Sequence, residues 1–265
     1  MLATSSVPTI QVPASHTLSA IFNDRSDSGA DLYAQAKRFA GIAYYEHTDK
    51  GSSNSIWHHV DEVKERVKAE YAGRLGITDE RLMRLKALAV MHEVLELKDA
   101  HKNLIYTPDD LRKAGFDEEF VLDCAAMCVR PGHLYLDEIH LLAQRPNAVL
   151  VKKCDVDINS SPRTIDPRAM TDKLRDKKAV LYPATSAFLG AIINGEIRAP
   201  YMSVKEYAMG NRYLPDQVRN QAVLDRHSSD GVQYARPRSM WPVVVQIVQF
   251  GKSMSAFTGK PILAI

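Results

Sequence analysis

Apolar residues recur at intervals of three and four over most of this chain, the period of a helix with one buried face. Leu32, Ala36, Phe39, Ala40 and Ala43 predict a helix over Asp31–Tyr45. Trp57, Val60, Val63 and Val67 predict a second, from Ile56 to about Arg74. A third carries Leu82, Leu85, Leu88 and Ala89, with Thr78 at its N-cap and Asp79 and Glu80 in the first turn, where the helix dipole favours acids. Thr107, with Pro108 at the first position and Asp110 three residues on, caps another. Asp117-Glu118-Glu119 opens a helix over Phe120–Val129 that Pro131-Gly132 ends. Tyr135–Gln144, Asn147–Asn159 and Met170–Leu189 complete the series, with Pro162 breaking the last two apart. The body is predicted to be all-α.

The two ends read differently. Residues 1–17 are Ser-, Thr-, Pro- and Val-rich with little periodicity and are expected to form a flexible arm. Residues 18–194 make the helical domain. From about Gly195 the chain is closely punctuated by Ala199-Pro200, Gly210-Asn211, Pro215, Pro237 and Pro242. This predicts an irregular extension, residues 195–265, packed on the helices and not an independent domain. Within it Val243–Phe250 has the composition of a short strand or a helix turn.

Composition narrows the picture modestly. A hydrophobic share of 45% and a net charge of +2 over 265 residues describe an ordinary globular chain and do not point to nucleic acid. Cys124, Cys128 and Cys154 cannot make a disulfide framework, which favours a reducing, cytoplasmic setting, and the first two read as core residues. No apolar run suggests a membrane span and no secretory leader is visible. Nothing decides between a monomer and a homo-oligomer.

Four polar clusters interrupt otherwise apolar helices. They are His58-His59, His92-Glu93 with Glu96, Asp155, and Asn159 one turn later. Imidazoles and carboxylates are costly inside a core unless something pairs with them, and a divalent cation does so. The run Leu88–Leu97 opens as a buried helix and then sets His92, Glu93 and Glu96 within little more than one turn. A histidine, a His-carboxylate doublet and a distant aspartate make a mixed nitrogen and oxygen site that suits manganese, iron or zinc better than calcium. His59 is preferred to His58 because it shares the register of Val63. Lys152-Lys153 reads as a surface pair, Asp157 as solvent-facing, and His101, His133, His140 and His227 as polar surface.

The order and context of these clusters resemble the HD phosphohydrolase superfamily, and within it the hydrolase domain of Rel/Spo-type alarmone enzymes and their small stand-alone relatives. Lys50-Gly-Ser-Ser53 precedes His59-Val-Asp-Glu-Val63, as a polar loop precedes the first histidine in that family. Met91-His-Glu-Val-Leu-Glu-Leu97 is similar to the family's Leu-His-Asp-Val-Val-Glu-Asp, with Glu93 for the aspartate and Leu97 for the last acid. Thr107-Pro-Asp-Asp-Leu-Arg-Lys-Ala-Gly-Phe116, Arg130-Pro-Gly-His-Leu-Tyr135 and Val151-Lys-Lys-Cys-Asp-Val-Asp-Ile-Asn159 resemble three further stretches. The likeness spans about Asp31 to Leu189.

The resemblance implies an HD-type helical bundle holding one divalent metal, most often Mn²⁺, with Fe²⁺, Co²⁺ or Zn²⁺ as alternatives, on His59, His92, Glu93 and Asp155. Helical spacing adds that Glu96, one turn past His92, is expected to orient or deprotonate a water, and that Asn159, one turn past Asp155, is expected to hold a ribose or phosphate oxygen. Lys50 and Ser52 would grip phosphates, Arg163 would meet the leaving pyrophosphate, and Tyr182 would lie near the nucleotide. The expected activity is release of the 3′-pyrophosphate from a (p)ppGpp-like alarmone. The alternatives are an HD-type nucleotidase or dNTP hydrolase, or a catalytically weakened module that only binds a nucleotide.

Overall fold

A computed structural model of the chain describes residues 29–45, 47, 55–161, 170–198 and 201–229. The expected arm, Lys50, Ser52, Arg163 and the Val243–Phe250 run lie outside these residues. The described part is all-α: α1 (Gly29–Ala43), α2 (Ile56–Tyr71), α3 (Asp79–Met91), α4 (Pro108–Lys113), α5 (Glu118–Ala126), α6 (Tyr135–Leu142), α7 (Pro146–Ser160), α8 (Asp172–Asp176), α9 (Tyr182–Ile193), α10 (Val204–Gly210) and α11 (Gln221–Arg226). Among the described residues no strand forms, Lys98 and Leu104 make an isolated antiparallel bridge, and no helix is long and apolar enough to cross a membrane.

Helix α3 is the axis of the bundle. Leu85 and the unbroken run Ala87–Met91 are all buried, so the last turns of the helix are apolar all round and lie inside. It packs against α1, α2, α5 and α7, while α7 also packs on α2 and α9. The caps read from the sequence are in place. Thr78 Oγ1 accepts from Arg81 N–H at 3.1 Å, Asp117 Oδ1 from Phe120 N–H at 2.8 Å, and Asp110 Oδ2 from both Thr107 N–H (2.9 Å) and its hydroxyl (2.7 Å).

Three expectations are corrected. First, the helix through the His-Glu doublet does not run on to Leu97. It stops at Met91, and a separate 3₁₀ turn covers Val94–Glu96. Side chains from elsewhere take the carbonyls that the stop leaves over: Tyr44 OH donates to Val90 O at 2.9 Å, His92 Nδ1 to Ala89 O at 2.6 Å and Cys128 Sγ to His92 O at 3.7 Å.

Second, Met170–Leu189 is not one α-helix. Between α8 and α9 the turn Lys177–Leu181 is π-helical, with Tyr182 N–H donating to Lys177 O. Pro183 has no N–H for the carbonyl four residues back and its ring crowds that carbonyl, so the wider turn accommodates it.

Third, the C-terminal region is less irregular than its punctuation suggests. It contributes α10, with a Ser203–Glu206 capping box, and α11, capped by Asn220. Residues 201–229 do pack on the body: α10 contacts α6 and α9. Beyond α11, His227 O accepts from Leu136 N–H at 2.9 Å and Ser229 Oγ donates to Asp137 at 2.8 Å.

Candidate metal centre

Three helices deliver one side chain each to the middle of the bundle. His59 lies in the first turns of α2, on the buried face with Val60 and Val63. His58, one residue earlier, is exposed and turned toward Glu62, at 3.8 Å. His92 follows the last residue of α3, so the carbonyl-rich end of the central helix, the end that favours cations, is directed at the site. Asp155 is at the middle of α7, flanked on the same face by Lys152 at i−3 and Asn159 at i+4.

His59, His92 and Asp155 are each 2% exposed. His59 Nε2 is 3.2 Å from His92 Nε2 and 3.2 Å from Asp155 Oδ1, and His92 Nε2 is 3.7 Å from the same oxygen. At metal–ligand distances of about 2.1 Å, ligands on one ion stand about 3.0 Å apart at a right angle and about 3.4 Å at the tetrahedral angle. The three atoms have the spacing of ligands that share one ion, and together they form a group that could hold a metal.

The hydrogen bonding fits a cation as well. His92 Nδ1 donates to Ala89 O, so that in the neutral ring the Nε2 lone pair faces His59 and Asp155. Asp155 Oδ1 can only accept. Two acceptors therefore meet His59 Nε2, and the space between them needs either a proton on that nitrogen or a metal ion. The other nitrogen, His59 Nδ1, is buried and has no partner among the described residues, so nothing there competes to fix its proton.

The electrostatics follow from the neighbours. Burial acts to raise the Asp155 carboxyl, but the Lys152 ammonium and the two imidazoles outweigh it and hold the group well below the usual carboxylate range. Burial acts to lower His92, but Asp155 and Glu93 outweigh it and raise it. Lys152 Nζ is 2.8 Å from Asp155 Oδ2, and Asn159 Nδ2 donates to Asp155 Oδ1 at 2.6 Å. Burial acts to lower the Lys152 ammonium too, but Asp155, Tyr135 and Glu96 keep it above its usual value.

Glu93 stands apart from the three. Its Oε1 is 3.8 Å from His92 Nε2, and it is not a member of the tight group. Its backbone falls in the bridge region after the helix stop (φ −96°, ψ −9°), and its carboxylate stays beside the His92 ring without joining the three close atoms. Glu96, in the 3₁₀ turn, accepts from Val129 N–H at 3.5 Å. Asn159 meets Asp155 through its side chain, and its carbonyl accepts from Lys178 Nζ at 2.9 Å. Tyr182 is half-buried and lies edge-on to Tyr135 at 6.1 Å, and Lys177 Nζ sits 5.5 and 5.9 Å from the two ring centres. Burial pushes the Tyr135 hydroxyl up to about 12.

Lys152 is the residue the sequence reading missed, because it is buried and ion-paired, not a surface neighbour of Lys153. Its position directly after the apolar run Ala148–Val151 and three residues before Asp155 is the available signal. His140 is likewise buried, near Met202 and Glu206. Asp157 is partly buried, held by Lys153 at 2.5 Å and by the Ser186 hydroxyl at 2.5 Å. His133 is exposed and bonded to Glu138, at 2.7 Å, alongside Arg130.

No protein-family model matches the chain, and no curated protein matches it significantly.

Proposed function

We propose that the chain is a metal-dependent phosphohydrolase of the HD type acting on a nucleotide, with a (p)ppGpp-like alarmone carrying a 3′-pyrophosphate as the favoured substrate. The observation that carries this reading is the convergence of His59 Nε2, His92 Nε2 and Asp155 Oδ1 from three helices within 3.7 Å. It is joined by the motif order that resembles that superfamily. Mn²⁺ is the favoured ion, with Fe²⁺, Co²⁺ and Zn²⁺ as alternatives for the same nitrogen and oxygen donors.

A divalent ion held there supplies Lewis acidity toward a phosphoryl oxygen and toward water. The chain's own groups do the rest. Glu96, held at its carboxylate by Val129 N–H, accepts a proton from the attacking water. Asn159 fixes the Asp155 carboxylate and Lys152 balances its charge. Tyr182, half-buried and braced edge-on by Tyr135, with Lys177 beside its ring, offers an aromatic ring and a cation to a phosphorylated base. Lys50, Ser52 and Arg163 are proposed for the phosphates on sequence context alone.

The second reading, a module that binds a nucleotide without turning it over, draws on Glu93 lying outside the ligating group. Measuring bound metals and then incubating the protein with Mn²⁺ and ppGpp, GTP, dNTPs and nucleoside monophosphates separates the two. Pyrophosphate release from ppGpp is the expected result. Bound metal with tight nucleotide binding and no product would establish the second reading and end the first.

A further inference from the structure

The group at the centre of the bundle has a cation of its own. Lys152 is 8% exposed, and its ammonium sits 2.8 Å from Asp155 Oδ2. The opposite oxygen, Oδ1, is the one that faces His59 and His92 and takes the Asn159 amide. Asp155 thus presents one oxygen to a fixed positive charge and the other to the place where an ion would bind. A buried carboxylate stripped of its partner is strongly unfavourable. Both charges lie on the same face of α7 three residues apart, so neither depends on a mobile loop.

We propose that Lys152 is the resident counter-ion of this site: it neutralises Asp155 whether or not a metal is present and keeps the His59, His92 and Asp155 donors in ligating geometry in the empty protein. Lys152 is on this account a positioning residue. The alternative role for such a residue is a mere prop of the metal ligand, whose loss weakens metal binding, commonly 10- to 100-fold. The two roles make opposite statements about Lys152→Met. A prop, once removed, loosens the ion. A counter-ion, once removed, leaves Asp155 in need of the ion more than before.

The metal arm of this inference rests on the proposed metal-binding reading, and the test keeps the two separable. Thermal unfolding of the full chain is followed in EDTA and in saturating Mn²⁺, for wild type, Lys152→Met and the double variant Lys152→Met with Asp155→Asn, and Mn²⁺ affinity is measured by calorimetry. Wild type is expected to unfold cooperatively in EDTA. Lys152→Met is expected to lose roughly 10 °C in EDTA, to gain more from Mn²⁺ than wild type does, and to bind Mn²⁺ at least as tightly. The double variant, with neither charge, is expected to recover most of the loss in EDTA.

Weaker Mn²⁺ binding by Lys152→Met, or a double variant no more stable than the single, overturns the proposal. If Lys152→Met does not fold at all, the double variant decides alone: folding near wild-type stability supports the counter-ion, and failure to fold overturns it. If wild type takes up no Mn²⁺, Co²⁺ or Zn²⁺, the metal reading falls, and the counter-ion claim is then judged on the EDTA comparison of single and double variants.

Discussion

Asp155 and Asp117 are both aspartates with a cation at hydrogen-bonding distance and an amide donor on the same carboxylate, and the fold uses them in different ways. Asp117 caps α5, accepts from Phe120 N–H at 2.8 Å and receives both arms of the Arg84 guanidinium at 2.7 and 2.9 Å, with its side chain 50% exposed. Asp155 is 2% exposed, with Lys152 as its partner. At Asp117 water shares the charge, so the ion pair adds modestly and the cap supplies much of the value. At Asp155 water is excluded, so the pair is less a gain than a requirement: removing one member strands the other. A carboxylate on a helix end organises one turn, whereas one in the middle of a buried helix commits three helices to a common charge balance.

The largest effect that would break this contrast is at Asp155. Asp155→Ala should cost about 3–5 kcal/mol in urea unfolding because it strands the Lys152 ammonium, and it should abolish metal uptake. A cost no greater than that of Asp117→Ala would erase the distinction. Next, His92→Ala should remove metal binding and cost about 1–3 kcal/mol, since Ala89 O loses its buried donor. His58→Ala, by contrast, should change neither calorimetric metal affinity nor stability.

Asp117→Ala should cost about 1–2 kcal/mol at pH 7, chiefly through the lost cap. Its pH dependence has a definite sign. Burial acts to raise the Asp117 carboxyl, but Arg84 and the Phe120 N–H lower it below its unfolded value. The stabilisation is therefore fully present above the unfolded pKa, about 4, and is lost as the pH falls from there through the lower folded value. Unfolding curves of the variant and wild type should draw together below about pH 4. Of the substitutions expected to have an effect, Arg226→Ala has the smallest: it removes a half-exposed partner of Asp176, at under about 0.5 kcal/mol.

Much of the bundle was legible because local signals agree with the tertiary packing. The apolar stripes of α1, α2 and α3 and the caps at Thr78, Thr107 and Asp117 depend on residues within one turn, and the structure has them where the spacing put them. His59 over His58 was legible for the same reason, since a residue four before Val63 shares its buried face. What could not be read was set by residues far away in sequence. The stop after Met91 depends on Tyr44 and Cys128 reaching the free carbonyls, and no pattern within α3 announces it. Once the helix stops, Glu93 and Glu96 lie at the start and end of a 3₁₀ turn and no longer follow the spacing of α3, although Glu93 Oε1 stays 3.8 Å from His92 Nε2. The π turn had a local cause in Pro183, although the apolar periodicity around it concealed the change of pitch. Residue type alone assigns Lys152 and His140 to the surface, whereas burial is decided by which side of the helix meets the body.

The short stretch after α11 has a practical meaning for anyone shortening this protein. Arg226 joins Asp176 at 2.9 Å, His227 O takes Leu136 N–H and Ser229 meets Asp137. Arg226, His227 and Ser229 thereby fasten the start of α6, which bears Tyr135, to the end of α8, next to Lys177. A chain cut before Gln221 would keep every donor of the central triad yet lose the contacts that brace Tyr135 and Lys177 beside it, so a shortened piece should keep residues 221–229.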